Sequence, residues 1–185
     1  MFLAIETTTD FFSVSLGDGK NIPETIKIHG RQHSERLIPS IEQLFENQNL
    51  YPKDLKAIAA GRGPGSFTGI RVGLTCAVTY AQVLDIPLYA LSSMDIAGKE
   101  IPAPAIRAFR NKFYTADYSP QGDRVSEYII VDEKEMEAKN CFEIEAESKK
   151  LYWEAHRLYN ERAEGDWRNI QPIYVMNTVY KKKNM

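Results

Sequence analysis

The order of segments predicts an α/β fold in two lobes, the second one reduced, and three observations carry that prediction. Residues 1–91 read as three strands, a helix, a strand, a long helix and a closing strand. The first two strands are joined without a helix, and the second and third by a hairpin. Residues 92–185 make a smaller, weaker version of a β-rich start, with no internal repeat at residue level. In order, Phe2–Glu6 is a short apolar run ending in an acid. Phe12, Val14 and Leu16 alternate with polar residues up to the turn signal Gly17-Asp18-Gly19, and Ile22, Ile26 and Ile28 continue at mostly even spacing. In HSERLIPSIEQLFENQ, Leu37, Ile38, Ile41, Leu44 and Phe45 fall on one helical face, with Ser34 as the expected N-cap and Pro39 just beyond the first turn. Leu55–Ala60 reads as a buried strand, Phe67 to about Leu84 as a long helix, and Pro87–Leu91 as a strand. Beyond Pro102-Ala103-Pro104, which reads as a linker, Ala105–Phe109, Phe113–Tyr118 and Val125–Val131 read as strands. Glu133–Asn140 and Tyr152–Arg162 read as helices.

The bulk numbers fit a globular protein with a real core: 185 residues, 43% apolar. A net charge of -2 provides no basic footprint for independent nucleic-acid binding. The run Lys181-Lys182-Lys183 reads as a solvated tail. Cys76 and Cys141 lack any CxxC spacing, so free thiols in a reducing compartment are expected. The start MFLAIETTTD has no basic n-region or long apolar h-region, and no apolar run approaches about 18 residues. A cytoplasmic protein without a membrane span is the expectation.

The most informative stretch is AAGRGPGSFTGIRVGLTCAVTYAQVL, residues 59–84. It is not a P-loop, because no lysine follows the glycines. It is not a dinucleotide fingerprint either, because Ser66 stands where the third glycine belongs. Gly63-Pro64-Gly65 makes a tight turn and Ser66 caps a helix opening at Phe67, which leaves an anion contact at that helix start open. Gly65, Gly69, Gly73, Ala77 and Ala81 recur every four residues and lay the smallest side chains on one ridge. Gly69 and Gly73 together cost about 2 kcal/mol against alanine, which a close backbone approach would offset. Ile70, Leu74, Val78 and Leu84 form a second stripe, and Arg71 is the only charge between Ser66 and Leu84. A helix of roughly 27 Å with so little charge has no wide solvated face: either it is the central helix of a large core or one face meets another chain, and contact with another chain is the expectation.

FLAIETT, HSERLIPSIEQLF and above all GRGPGSFTGIRVG resemble the TsaB (YeaZ) family. The resemblance implies an ASKHA fold (actin/Hsp70/sugar-kinase-like, ribonuclease H-like), with an N-terminal lobe over 1–91 and a divergent second lobe over 92–185. It implies a non-catalytic subunit that binds and activates a TsaD-like transferase. That enzyme forms threonylcarbamoyladenosine at position 37 of tRNAs reading ANN codons. A TsaE-like ATPase, self-association into a homodimer when alone, and contact with tRNA only through the complex go with it. The interface would use His33, Leu37, Ile41, Leu44 and Phe45 from one helix, with Phe67, Gly69, Ile70, Arg71, Gly73, Leu74 and Ala77 from the other. The second half departs from the family pattern: RAFRNKFY stands for DARRGEVY, keeping Arg110 and Tyr114, and PIYVM for P-x-Y-L-R, keeping Pro172 and Tyr174 with Met176 replacing arginine.

For chemistry, Glu6 ends the first strand and is followed by Thr7, Thr8 and Thr9. In ASKHA ATPases an acid here, before a glycine-rich hairpin, holds a metal–phosphate group; TTTDFF would crowd one. A nucleotide contact through Glu6, Thr7, Thr8, Gly63, Gly65 and Ser66 is the weaker expectation, with ATP or ADP and Mg at a shared subunit interface and no cofactor of the chain's own. An independent ASKHA ATPase or kinase is the alternative. His29 and His33 have metal-ligand spacing, but Gly30 falls between them and no third ligand is evident. No HExxH or GxSxG occurs, so neither a catalytic residue nor a metal site is expected.

Overall fold

The computed structural model describes residues 1–30 and 32–175. Its first sheet has the order β3-β2-β1-β4-β5, from β1 (Phe2–Glu6), β2 (Phe11–Gly17), β3 (Glu24–His29), β4 (Ala57–Gly61) and β5 (Leu88–Leu91). β1, β2 and β3 pair antiparallel, whereas β1, β4 and β5 run parallel. On one face lie α1 (His33–Asn47) and α2 (Phe67–Leu84). On the other lies α5 (Ser148–Asn160), after the short α3 (Ser93–Ala97) and α4 (Glu133–Ala138). A second sheet has the order β8-β7-β6-β9, from β6 (Pro104–Arg107), β7 (Lys112–Thr115), β8 (Ile129–Asp132) and β9 (Phe142–Glu143).

Period-two alternation explains why the first sheet is buried on both sides. Leu3 and Ile5 join Phe12, Val14 and Leu16 against Leu37, Ile41, Leu44 and Phe45 of α1 and Ile70, Leu74, Ala77 and Ala81 of α2. Phe2 and Ala4, with Ala57, Ala59 and Tyr89, face Leu151, Tyr152 and Ala155 of α5. The polar half of β2 is therefore not solvated. Ser13 Oγ accepts from Ser148 N–H at 2.8 Å, and Ser15 Oγ meets Ser148 Oγ at 2.8 Å, so the start of α5 is tied to β2 by hydroxyls.

Several expectations on the elements are corrected. α1 begins at His33 with Gln32 as its N-cap and no side-chain cap, so Ser34 is not the cap. The strand expected at Leu55 starts at Ala57, because Pro52–Asp54 forms a 3-10 turn first. α5 starts four residues earlier than read, and β6, β7 and β8 are shorter than their apolar runs. The segment 163–175, irregular throughout, returns along the first lobe. Tyr89 OH donates to Ala163 O at 3.2 Å, Ile173 N–H donates to Arg62 O at 2.7 Å, and Trp167 and Ile170 pack against the core. No helix among the described residues is long and apolar enough to cross a membrane.

Candidate partner interface and interlobe cleft

The glycine segment clasps the turn between β1 and β2. Ser66 N–H donates to Thr8 O at 2.7 Å, and Thr7 Oγ donates to Gly69 O at 2.8 Å. A Cβ on Gly65 would lie 2.1 Å from Thr8 O, one on Gly69 2.0 Å from Thr7 O, and one on Gly73 2.1 Å from Thr7 Oγ1. The helix can approach this backbone only where it lacks side chains. Ser66 caps it, its Oγ accepting from Gly69 N–H at 3.2 Å. The glycine ridge is thus taken up inside the chain, and the expectation that Gly69, Gly73 and Ala77 meet a partner is corrected: all three are buried against the chain's own sheet and turn.

Ile41, Leu44, Phe45 and Ile70 are likewise core residues and His33 is buried with Nε2 3.1 Å from Thr9 O, while the buried Leu37 and Leu74 reach the surface as the floor of grooves beside α2. Of the expected interface set, only Phe67 and Arg71 are exposed. What α1 and α2 present outward is a different set. Along α2 the exposed or half-exposed residues Thr68, Arg71, Val72, Thr75, Cys76, Thr79 and Val83 share one face, on which Arg71 is the only charge. Between the helices Ser34, Leu37, Ile38, Arg71, Val72, Thr75 and Cys76 line a groove of about 410 Å³. Ile38 is 41% exposed and Val83 77%. Burial holds the Cys76 thiol up at about 12, so it is neutral there. Hydrophobic periodicity missed Thr75 and Thr79 because it marks the face turned to the core; the signal that reaches them is the missing charge.

Glu6 is wholly buried. Thr8 N–H donates to its Oε1 at 2.9 Å and Ser93 Oγ–H donates to Oε2, while a Cβ on Gly61 would stand 2.3 Å from Oε1. Thr7 and Thr8 are buried beside it. A magnesium–phosphate group does not fit here: the carboxylate is walled off by Gly61 and Ser93, and the expected nucleotide contacts through Glu6, Thr7 and Thr8 are corrected accordingly. Burial raises the Glu6 pKa above its ordinary value of 4.5, against the opposing hydrogen bonds from Ser93 and Thr8. The folded chain therefore holds this proton more tightly than the unfolded chain does. That stabilisation is complete below the unfolded pKa and is lost as pH rises through the folded one. Glu6→Gln, whose amide can donate to Ser93 Oγ and accept from Thr8 N–H, is expected to flatten this dependence. Melting temperatures from pH 5 to pH 8 check it: the variant should gain on wild type as pH rises, and parallel curves would refute it.

Gly65 and Ser66 do line a cleft between the lobes, of about 590 Å³, with Thr9, Asp10, His33, Phe67, Phe109, Tyr114 and Tyr174 around it. Tyr114 OH donates to Gly65 O at 3.4 Å, joining the second sheet to the glycine turn. Gly63 is buried with φ +103, and a Cβ there would lie 2.7 Å from Ile173 O; it supports the returning segment rather than the cleft. Arg107 pairs with Glu143 at 3.0 Å, and Arg110 sits at the β6–β7 turn with φ 55. His29 ends β3 and is exposed, apart from the buried His33. Met176 and Lys181–Lys183 lie outside the described residues.

The sheet order, the helices on both its faces and the clasped glycine turn define a two-lobed α/β protein of the ASKHA fold class. The sequence family described as TsaD, tRNA N6-adenosine threonylcarbamoyltransferase, matches residues 22–156. The tRNA threonylcarbamoyladenosine biosynthesis protein TsaB of Bacillus subtilis (strain 168) is 32% identical over 141 residues, 72% of this chain and 61% of that protein. TsaB of Escherichia coli (strain K12) is 33% identical over 92 residues, 50% of this chain and 40% of that protein. The solved structure of YeaZ from Pseudomonas aeruginosa superposes with a TM-score of 0.74 at 21% identity, over 94% of this chain and 99% of that one. The chain belongs to the TsaB (YeaZ) family. Its matches span 61% and 40% of the lengths of those two curated relatives.

Proposed function

We propose that this chain is an accessory, non-catalytic subunit for forming threonylcarbamoyladenosine at position 37 of tRNAs reading ANN codons. In this reading it binds and activates a TsaD-type transferase in the cytoplasm. A TsaE-type ATPase joins the complex, tRNA is met only there, and the chain pairs with itself when alone. The observation that carries the reading is the outer face of α2 with its groove against α1, where one charge stands on an otherwise uncharged surface. Surfaces poor in charge and lined by Ile38, Val72 and Cys76 gain by being covered. The relatives' names give the pathway, tRNA threonylcarbamoyladenosine biosynthesis, and the likeness to the TsaD family supports a TsaD-type partner. The alternative, an independent nucleotide-dependent enzyme, is disfavoured by the sealed Glu6; a nucleotide shared across the subunit contact would have to use the cleft at Gly65 and Ser66.

The test is Thr75→Arg, which sets a second cation in the middle of the face without touching the core. Affinity for the TsaD-type chain of the same genome is expected to fall at least 100-fold, about 2.7 kcal/mol, with the melting temperature unchanged. Undiminished binding by the folded variant would overturn the reading.

A further inference from the structure

We infer that Arg71 is a receptor held ready for a carboxylate of the partner, and that Tyr174 of the returning segment 163–175 is what holds it; this rests on the reading just proposed. Arg71 lies with its guanidinium carbon 3.8 Å from the Phe67 ring centre and 5.9 Å from that of Tyr174, and its Nε donates to Tyr174 OH at 3.2 Å. The two rings meet at 4.9 Å. Tyr174 is itself fixed, because the neighbouring Ile173 N–H is bonded to Arg62 O. The terminal nitrogens of Arg71 find no acceptor among the described residues. A long side chain that would ordinarily sample many rotamers is thereby held in one place. Two parallel donors are left over for a planar, two-oxygen acceptor.

Position decides what that acceptor is. Arg71 lines both the α1–α2 groove and a second one of about 510 Å³ between α2 and the segment bearing Trp167, Ile170 and Tyr174. It is the lone charge on the outward face of α2, and Arg168 is a second cation lining the second groove. A guanidinium carried under a partner without an anion would be left unpaired and desolvated, which is strongly unfavourable. The occupant is therefore an Asp or Glu side chain of the TsaD-type partner, seated on Arg71 while apolar groups fill the groove beside it. Tyr174 acts as a positioning residue: its hydroxyl and ring orient the arginine.

The experiment measures affinity of the intact chain for the TsaD-type chain, at low and high salt, for wild type, Arg71→Gln, Arg71→Glu, Arg71→Lys, Tyr174→Ala and the double variant Arg71→Gln/Tyr174→Ala. Arg71→Gln is expected to bind about tenfold more weakly and Arg71→Glu at least tenfold more weakly again, because reversal sets like charges together. Arg71→Lys should not restore binding, since it lacks the fork and the stacking. Tyr174→Ala should weaken binding in wild type but add nothing to Arg71→Gln, and the difference between Arg71→Glu and Arg71→Gln should shrink in high salt. If Gln and Glu variants bind alike, or if the Tyr174 effect persists without Arg71, the stack is merely a tie between α2 and the returning segment and the inference falls. Failure of wild type to bind any TsaD-type chain would instead overturn the function on which it rests.

Discussion

Gly69→Ala is expected to lower the unfolding free energy by about 2 kcal/mol, even though alanine is the better helix former by about 1 kcal/mol. The new methyl would stand 2.0 Å from the carbonyl oxygen of Thr7, a backbone atom in the turn leaving β1, which cannot swing aside as a side chain can. Relief requires α2 to lift from the sheet, loosening Ile70 and Ala77 in the core and the Thr7 Oγ–Gly69 O bond together. Overpacking of this kind costs about 1–3 kcal/mol and occasionally more. The backbone obstacle places Gly69 at the top of that range, above the helix-propensity gain. Gly73→Ala is the control: its obstacle is Thr7 Oγ1, which can rotate away at the loss of one hydrogen bond, about 1 kcal/mol. That loss and the propensity gain nearly cancel. Thermal melts of the two variants should separate by about 4–8 °C, and a Gly69→Ala protein as stable as wild type would refute the clasp.

A loss of about 4 kcal/mol is expected from Tyr152→Ala. Tyr152 is fully buried on α5, edge-on to Phe2 at 6.3 Å and to Trp153 at 5.0 Å, and its hydroxyl accepts from Gly19 N–H at 2.6 Å. The truncation empties the space over Ala4, Ala57 and Ala59, whose small side chains leave the ring its room. It also strands the Gly19 donor. Tyr152→Phe isolates that second part and should cost about 1–2 kcal/mol. Urea midpoints for both variants check the pair; a Phe variant as damaging as Ala would mean that the bond, not the ring, carries the anchoring.

The first lobe was legible because its signals are local. The alternation in β2, the amphipathic run of α1, the Ser66 cap and the fourfold spacing of glycines each reside in one stretch of chain, and the structure places strands and helices there. The use of the glycine ridge was not legible. Close approach could be read from Gly65, Gly69 and Gly73, but whether Thr7 or another molecule supplies the approaching backbone depends on a contact more than sixty positions away in the chain. Glu6 misled for a related reason: an acid ending a strand looks like a ligand until Ser93, on a short helix that periodicity cannot detect, is seen to close it. Arg71 was visible as a solitary charge, whereas its clamp by Tyr174 needed the fold, because the segment bearing Tyr174 has no regular structure to announce it.

The position of α5 has a consequence for how the chain can be made. The first sheet is complete by residue 91, yet the buried residues that roof the face formed by Phe2, Ala4, Ala57, Ala59 and Tyr89 come from α5, residues 148–160. During synthesis that apolar face must wait, open, while some sixty further residues are added, a delay of several seconds at about 5–20 residues per second. A nascent chain arrested before Ser148 would carry a finished sheet with a sticky side, a natural client for chaperones and a seed for aggregation. The tether that ends this exposure is the pair of serine hydroxyls on β2 awaiting Ser148.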